Sequence, residues 1–148
     1  MTYDKDSYFV AVKLFLRDGD KLLITHDIFG AWDLPGGRIK PNEFDTPLEN
    51  IIERKVREEL GDDIKYKLGP SNGIFFRVER NEQGLKGQKV RIFAVAYDAV
   101  YLGGEVGMGD HHDKMEWADI SNFRPEDYFT GGWLKGVQEY LEKVRNDV

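Results

Sequence analysis

Read for its alternation of apolar and polar positions, the chain divides into a hairpin, a helix, two long extended runs and a closing helix. Tyr8 to Leu16 is rich in Val, Phe and Leu and predicts a strand. Asp18-Gly19-Asp20 is a turn signal, and Lys21 to Thr25 returns as a second strand, so the two predict a hairpin. Trp32-Asp33-Leu34 is a short extended piece that Pro35-Gly36-Gly37 stops. Thr46-Pro47-Leu48-Glu49 opens a helix, with Thr46 as its cap, Pro47 in its first turn and Glu49 completing a capping box. Leu48, Ile52, Val56 and Leu60 recur at four-residue spacing and give that helix a buried stripe, which Gly61 ends. Further strands are predicted around Ile74–Glu79 and Val90–Tyr101, on either side of the polar loop Asn81–Gly87. A last helix starts near Gly131 or Gly132 and sets Trp133, Leu134, Val137, Leu141 and Val144 on one face, all read as core. The expected product is an α/β fold, a mixed sheet flanked by helices.

Composition narrows the function without naming it. At 148 residues the chain reads as a single domain, 1–148, long enough to bury a real core. No apolar run approaches a membrane span, and the start Met1-Thr2-Tyr3-Asp4-Lys5-Asp6 lacks the basic and apolar blocks of a signal peptide, so no membrane partner is expected. Cysteine is absent, which excludes disulfides and thiolate metal sites and agrees with a cytoplasmic location. A net charge of −6 argues against a broad nucleic-acid surface. A small anionic ligand stays open, provided that metal ions neutralise it.

The chemistry concentrates in Gly36-Gly37-Arg38-Ile39-Lys40-Pro41-Asn42-Glu43 and in Arg54-Lys55-Val56-Arg57-Glu58-Glu59-Leu60-Gly61. Residues three and four apart share a helix face, so Arg54, Lys55, Glu58 and Glu59 form one polar patch opposite the apolar stripe. Glu43 lies in the loop before the helix and can fold back toward that patch. Mg²⁺ binds through one or two carboxylates plus substrate phosphate oxygens, so acidic groups converging beside a glycine turn suit a metal–diphosphate complex. Glycines let backbone amides approach phosphates with no side chain in the way.

These residues resemble the Nudix box, whose pattern is Gly, five residues, Glu, seven residues, then Arg-Glu-apolar-x-Glu-Glu-x-Gly. Gly37 and Glu43 have that spacing, and Arg54, Val56, Glu58, Glu59 and Gly61 fill their places. The entry Trp32-Asp33-Leu34-Pro35-Gly36-Gly37, the preceding hairpin, and Trp117 followed by a terminal helix also match the family's order. There are two departures. Ten residues separate Glu43 from Arg54, and the three extra ones fit best around Phe44-Asp45-Thr46. Lys55 stands where the family has its first helical Glu, a residue that commonly binds metal and in some members acts as base.

The resemblance implies a Nudix-like α/β/α sandwich that hydrolyses a nucleoside diphosphate linked to another moiety. A nucleotide sugar or ADP-ribose-like substrate ranks ahead of a nucleoside triphosphate, and Mg²⁺ or Mn²⁺ serves as cofactor. Glu43, Glu58 and Glu59 would hold metal, Gly36, Gly37, Arg38 and Lys55 would contact substrate, and Arg54 would orient the carboxylates. The family often places Glu-His ahead of the Trp that this chain has at Trp117, whereas the loop Gly104–Trp117 offers His111-His112. His112 falls where a subgroup hydrolysing GDP-mannose has its histidine base, and that subgroup also lacks the first helical Glu. His112, with His111 behind it, is therefore the expected base. The alternative is a Nudix-fold nucleotide-binding or regulatory domain without catalysis, for which Lys55 is the chief support. The blander readings make Lys55 a helix ion pair and Arg77, Arg80 and Arg91 surface charges, with His26 structural or on the surface. The sequence leaves the oligomeric state, a homodimer included, open.

Overall fold

A computed structural model describes residues 4–82 and 87–146 of the chain. The first three residues of the acidic start and the middle of the expected loop Asn81–Gly87 lie outside them. Strand β1 (Phe9–Asp18) turns through Gly19 and Asp20 into β2 (Lys21–Asp27), with Asp18 opposite Lys21, and Gly19 at φ +61° supplies the left-handed turn position. Two short strands follow, β3 (Trp32–Asp33) and β4 (Gly36–Arg38). A 3₁₀ turn (Pro41–Glu43) leads to helix α1 (Leu48–Leu60). Long strands β5 (Lys65–Asn81) and β6 (Lys89–Gly103), then β7 (His112–Asp119), precede helix α2 (Gly131–Asn146).

The sheet runs β3-β2-β1-β6-β5, with β4 paired to β1 and β7 to β2. The β1–β6 pair is parallel and the others are antiparallel, so the sheet is mixed. β1 reads as a continuous apolar run because both of its faces are covered. Val12, Leu14 and Leu16 pack against Ile51, Ile52, Val56 and Leu60 of α1. On the opposite face, Ala11 and Phe15 meet Val137, Tyr140 and Leu141 of α2. The result is an α/β/α sandwich.

Several expectations change. Gly36-Gly37 is no turn: it forms β4, held by the register Lys13–Gly36, Val12–Gly37 and Ala11–Arg38. Gly36 has φ +132°, and a Cβ there would lie 2.1 Å from the Val12 carbonyl oxygen, so close strand approach sets the glycine. Thr46 does not cap α1. Pro47 holds that position with an extended ψ of 141°, its carbonyl accepting from the amides of Asn50 and Ile51, and no side-chain cap bond forms. Gly61 does end the helix, and its N–H bonds the Arg57 carbonyl. β5 starts nine residues ahead of Ile74, because bulges at Leu68–Ser71 and Ser71–Phe75 carry the Gly69-Pro70 stretch inside the strand. The expected loop runs only to His111, and His112 opens strand β7 on the edge of β2.

β1 meets β2 at its C-terminal end and β4 at its N-terminal end. Between them the chain crosses through Leu34 and Pro35, whose carbonyl accepts from the Leu14 amide. The sheet therefore forks, and Leu34, fully buried, closes the bottom of the fork. No helix among the described residues is long and apolar enough to cross a membrane.

The ring of Phe15 stacks on that of Tyr140 at 3.9 Å and joins β1 to α2. Phe15→Ala should cost about 3–5 kcal/mol in urea unfolding, as a large cavity in a two-sided core does.

Candidate active site

The fork of the sheet is a cleft. β1 supplies Ala11 and Lys13 to its wall, β4 Gly36, Gly37 and Arg38, and α1 Lys55, Glu58 and Glu59. The β2–β3 side contributes Asp27 and Asp33, the loop before β7 contributes Asp110 and His111, and β7 itself opens with His112. Arg80, Ile92, Gly109 and Trp133 complete the wall of this cavity of about 180 Å³.

Of the sequence-predicted residues, Gly36, Gly37, Arg38, Lys55, Glu58, Glu59, His111 and His112 come together here. Glu43 and Arg54 are not in the wall. Arg54 clasps both oxygens of Glu43, at 2.7 and 2.8 Å, and gives a further bond of 3.1 Å to Oε1 of Glu58. Glu43 Oε1 also accepts from the Lys40 amide at 2.9 Å, closing the 3₁₀ turn. The Arg54 bonds hold the Glu43 carboxyl below its ordinary range. Glu43 thus sits behind the cleft wall, paired with Arg54. The three extra residues of the box lie in the turn beyond it, where Phe44 stands exposed.

The glycine-rich loop docks on the end of α1. The N–H groups of Gly107 and Gly109 donate to the carbonyls of Leu60 and Glu59, both at 2.8 Å, which a helix end otherwise leaves bare. A Cβ on Gly109 would lie 2.3 Å from the Glu58 carbonyl oxygen, so that approach requires glycine. This docking sets His112 beside Glu59, with Nε2 4.0 Å from Oε2. Among the described residues, Nδ1 of His112 is buried with no hydrogen-bond partner. Burial pushes the His112 pKa down, against the pull of Asp33. Glu59 moves the other way: burial raises it to about 7, the charges of Lys13 and Lys55 offsetting part of the rise. The Lys55 contact at 3.7 Å is too loose to cancel that burial. Glu58 is half exposed, and its bonds to Arg54 and Lys55 outweigh its burial and hold it ionised.

The wall residues that sequence reasoning missed include Lys13, Asp27, Arg80 and Trp133. Lys13 is 4% exposed, and its ammonium lies 2.9 Å from Oδ1 of Asp33, 3.2 Å from the Leu34 carbonyl, and over the Trp133 ring at 4.9 Å. The signal was a lone lysine inside an apolar strand. Asp27 is buried and accepts the amides of Phe29 and Ala31, shaping the turn beside the cleft. Trp133, read as pure core, packs against the core and also faces the cleft. Arg80, read as surface charge, lines it too, whereas Arg91 pairs on the outside with Asp6 and Glu79. His26 is structural, bonded to Asp113 at 2.7 Å. A second cleft of about 920 Å³ shares Asp27, Asp33, Arg80 and Trp133 with the first and adds Phe29, Trp32 and Arg77.

Among the described residues, no three His, Asp or Glu side chains group as a metal-ligand set. Glu58 and Glu59 are the helical carboxylates that face the cleft, and the Lys55 ammonium sits at 3.2 and 3.7 Å from them. A protein-built cage of carboxylates therefore does not fit these residues. A metal held mainly by substrate phosphate oxygens and one carboxylate does.

The NUDIX domain pattern matches residues 7–134. Nucleoside triphosphatase NudI of Escherichia fergusonii is 29% identical over 92 residues, a stretch covering 60% of this chain and 61% of that protein's length. An ADP-ribose pyrophosphatase from Streptococcus suis superposes with a TM-score of 0.63 at 16% identity, over 94% of this chain and 93% of its own. The MutT protein from Methanosarcina mazei does so with 0.68 at 20% identity, over 99% and 98%. At these identities the structural likeness is one of fold.

Because folding raises Glu59 from 4.5 to about 7, the native state holds the extra proton between those values. Its contribution to stability is full below the unfolded pKa and is lost as pH rises through the folded one. In EDTA, Glu59→Gln should therefore melt increasingly above the wild type as pH climbs from about 5 to about 8, by an amount on the order of 2–3 kcal/mol.

Proposed function

Since the chain belongs to the Nudix family, we propose that it hydrolyses a nucleoside diphosphate linked to another moiety, with a divalent metal ion, Mg²⁺ or Mn²⁺, arriving on the diphosphate. The observation that carries this reading is the pair of joined compartments. One is small and charged, with Glu58, Glu59, Lys55 and Arg80 in its wall. The other is large and partly aromatic, with Phe29, Trp32, Trp133 and Arg77. A diphosphate suits the first, and a base or sugar suits the second, where aromatic faces stack and an arginine can pair.

The names of the relatives divide, one a nucleoside triphosphatase and one structural neighbour an ADP-ribose pyrophosphatase. The size of the second compartment favours a nucleotide sugar or an ADP-ribose-like molecule over a nucleoside triphosphate. In this reading Gly36 and Gly37 leave room for the phosphates, while Arg38 and Lys55 offer them positive charge. Of Glu58 and Glu59, one would supply the single carboxylate to the metal, which would neutralise charge developing on the phosphate oxygens. Arg54 positions Glu58 through its bond of 3.1 Å. His112, its pKa lowered by burial, is the base that takes a proton from the attacking water. His111, exposed in the same wall, is second in line.

A second reading, nucleotide binding without turnover, is favoured by Lys55 among the helical carboxylates. In that case a nucleotide raises the melting temperature and is recovered intact.

Nucleotide sugars, ADP-ribose, dinucleoside polyphosphates and nucleoside triphosphates, offered with Mg²⁺, with Mn²⁺ and with EDTA, decide between the two. We expect metal-dependent cleavage of a nucleotide sugar or ADP-ribose. A free sugar with intact nucleoside diphosphate would mark C–O attack, and a nucleoside monophosphate P–O attack. Glu59→Gln and His112→Asn should each lower kcat roughly 100-fold or more with the fold kept. Full activity in both would refute the assigned roles.

A further inference from the structure

Lys55 stands between the two helical carboxylates of the cleft. Its ammonium is 3.2 Å from Oε2 of Glu58 and 3.7 Å from Oε1 of Glu59, and 22% of its side chain is exposed. The facing strand leaves space for it: a Cβ on Gly37 would come 2.4 Å from Cε of Lys55. The neighbouring anions have other cations. Arg54 holds Glu43 and the second oxygen of Glu58, and Lys13 holds Asp33. Lys55 is thus the charge shared by Glu58 and Glu59.

Two adjacent carboxylates at the C-terminal end of a helix repel each other and the helix dipole. A cation seated between them relieves both effects, whether it is a metal ion or an ammonium. A metal ion needs oxygens at about 2.1 Å, and it cannot take that seat while the ammonium fills it.

We infer that Lys55 is a built-in cation of the phosphate site, filling the seat between Glu58 and Glu59, so that this protein binds a nucleoside diphosphate with one divalent ion fewer than the same site with a carboxylate at position 55. The inference rests on the proposed function for the class of ligand alone. The ammonium offers its remaining protons to phosphate oxygens as a point charge on a flexible stem. Lys55→Glu turns two carboxylates and an ammonium into three carboxylates, the composition that attracts a divalent ion.

The test uses the full chain. Mn²⁺ is titrated without nucleotide and followed by electron paramagnetic resonance, and ADP is titrated by calorimetry in EDTA. Lys55→Glu should gain a Mn²⁺ site about tenfold or more tighter than any in the wild type. In EDTA the wild type should bind ADP, and Lys55→Met, which keeps the apolar stem over Gly37, should lose about tenfold or more in affinity. Thermal melts establish that each variant is folded, and the Lys55→Met arm stands even if Lys55→Glu unfolds. Equal Mn²⁺ uptake by the wild type and Lys55→Glu would overturn the inference. So would ADP affinity unchanged in Lys55→Met, or no ADP binding by the wild type in EDTA. Because the Mn²⁺ arm involves no substrate, failure of hydrolysis with this arm intact counts against the proposed function alone.

Discussion

Two hydrogen bonds, from the backbone of Gly107 and Gly109 to the last carbonyls of α1, hold the site in one piece. A helix end needs partners for its carbonyls, and here the loop between β6 and β7 supplies them. The consequence reaches beyond capping. Docking the loop brings His112 to Glu59, starts β7 on the free edge of β2, and closes one side of the fork between β1 and β2. Close backbone contact requires the glycine at position 109, where a Cβ would meet the Glu58 carbonyl.

Several acidic groups of the cleft wall are matched to a cation or to backbone amides. Lys13 ties β1 to β3 through Asp33 across the open fork. Arg54 locks the 3₁₀ turn to α1 through Glu43 and steadies Glu58. Asp27 is satisfied by two amides of its own turn. Glu59 is the exception, being buried with a 3.4 Å bond from the Gly36 amide and a loose contact to Lys55. A carboxylate left underpaired at the wrong end of a helix breaks a local rule of stability, and such breaks gather at working sites.

Local pattern carried the hairpin through Gly19, the apolar stripe of α1, its stop at Gly61, the start of α2 and the polar face from Arg54 to Glu59. Each of these depends on residues within a few positions of one another, so spacing alone discloses it. The insertion at Phe44–Thr46 also falls in a turn, as the spacing of the box implied. What local pattern misjudged were pieces whose partners are distant. Gly36-Gly37 is strand because β1 pairs with it, and the bulged half of β5 is strand because β6 does. His112 opens a strand because β2 had an edge to fill.

The sequence by itself determined where the glycines and charged side chains cluster and which helix presents them, since helical periodicity and turn chemistry are short-range properties. Tertiary structure alone decided their partnerships. It placed Glu43 behind the site under Arg54, drew Lys13 and Trp133 into the wall, and set Lys55 between Glu58 and Glu59. The reason is physical: the state of a charge depends on its burial and on what lies within a few ångströms, and only the packed sheet and helices fix those distances.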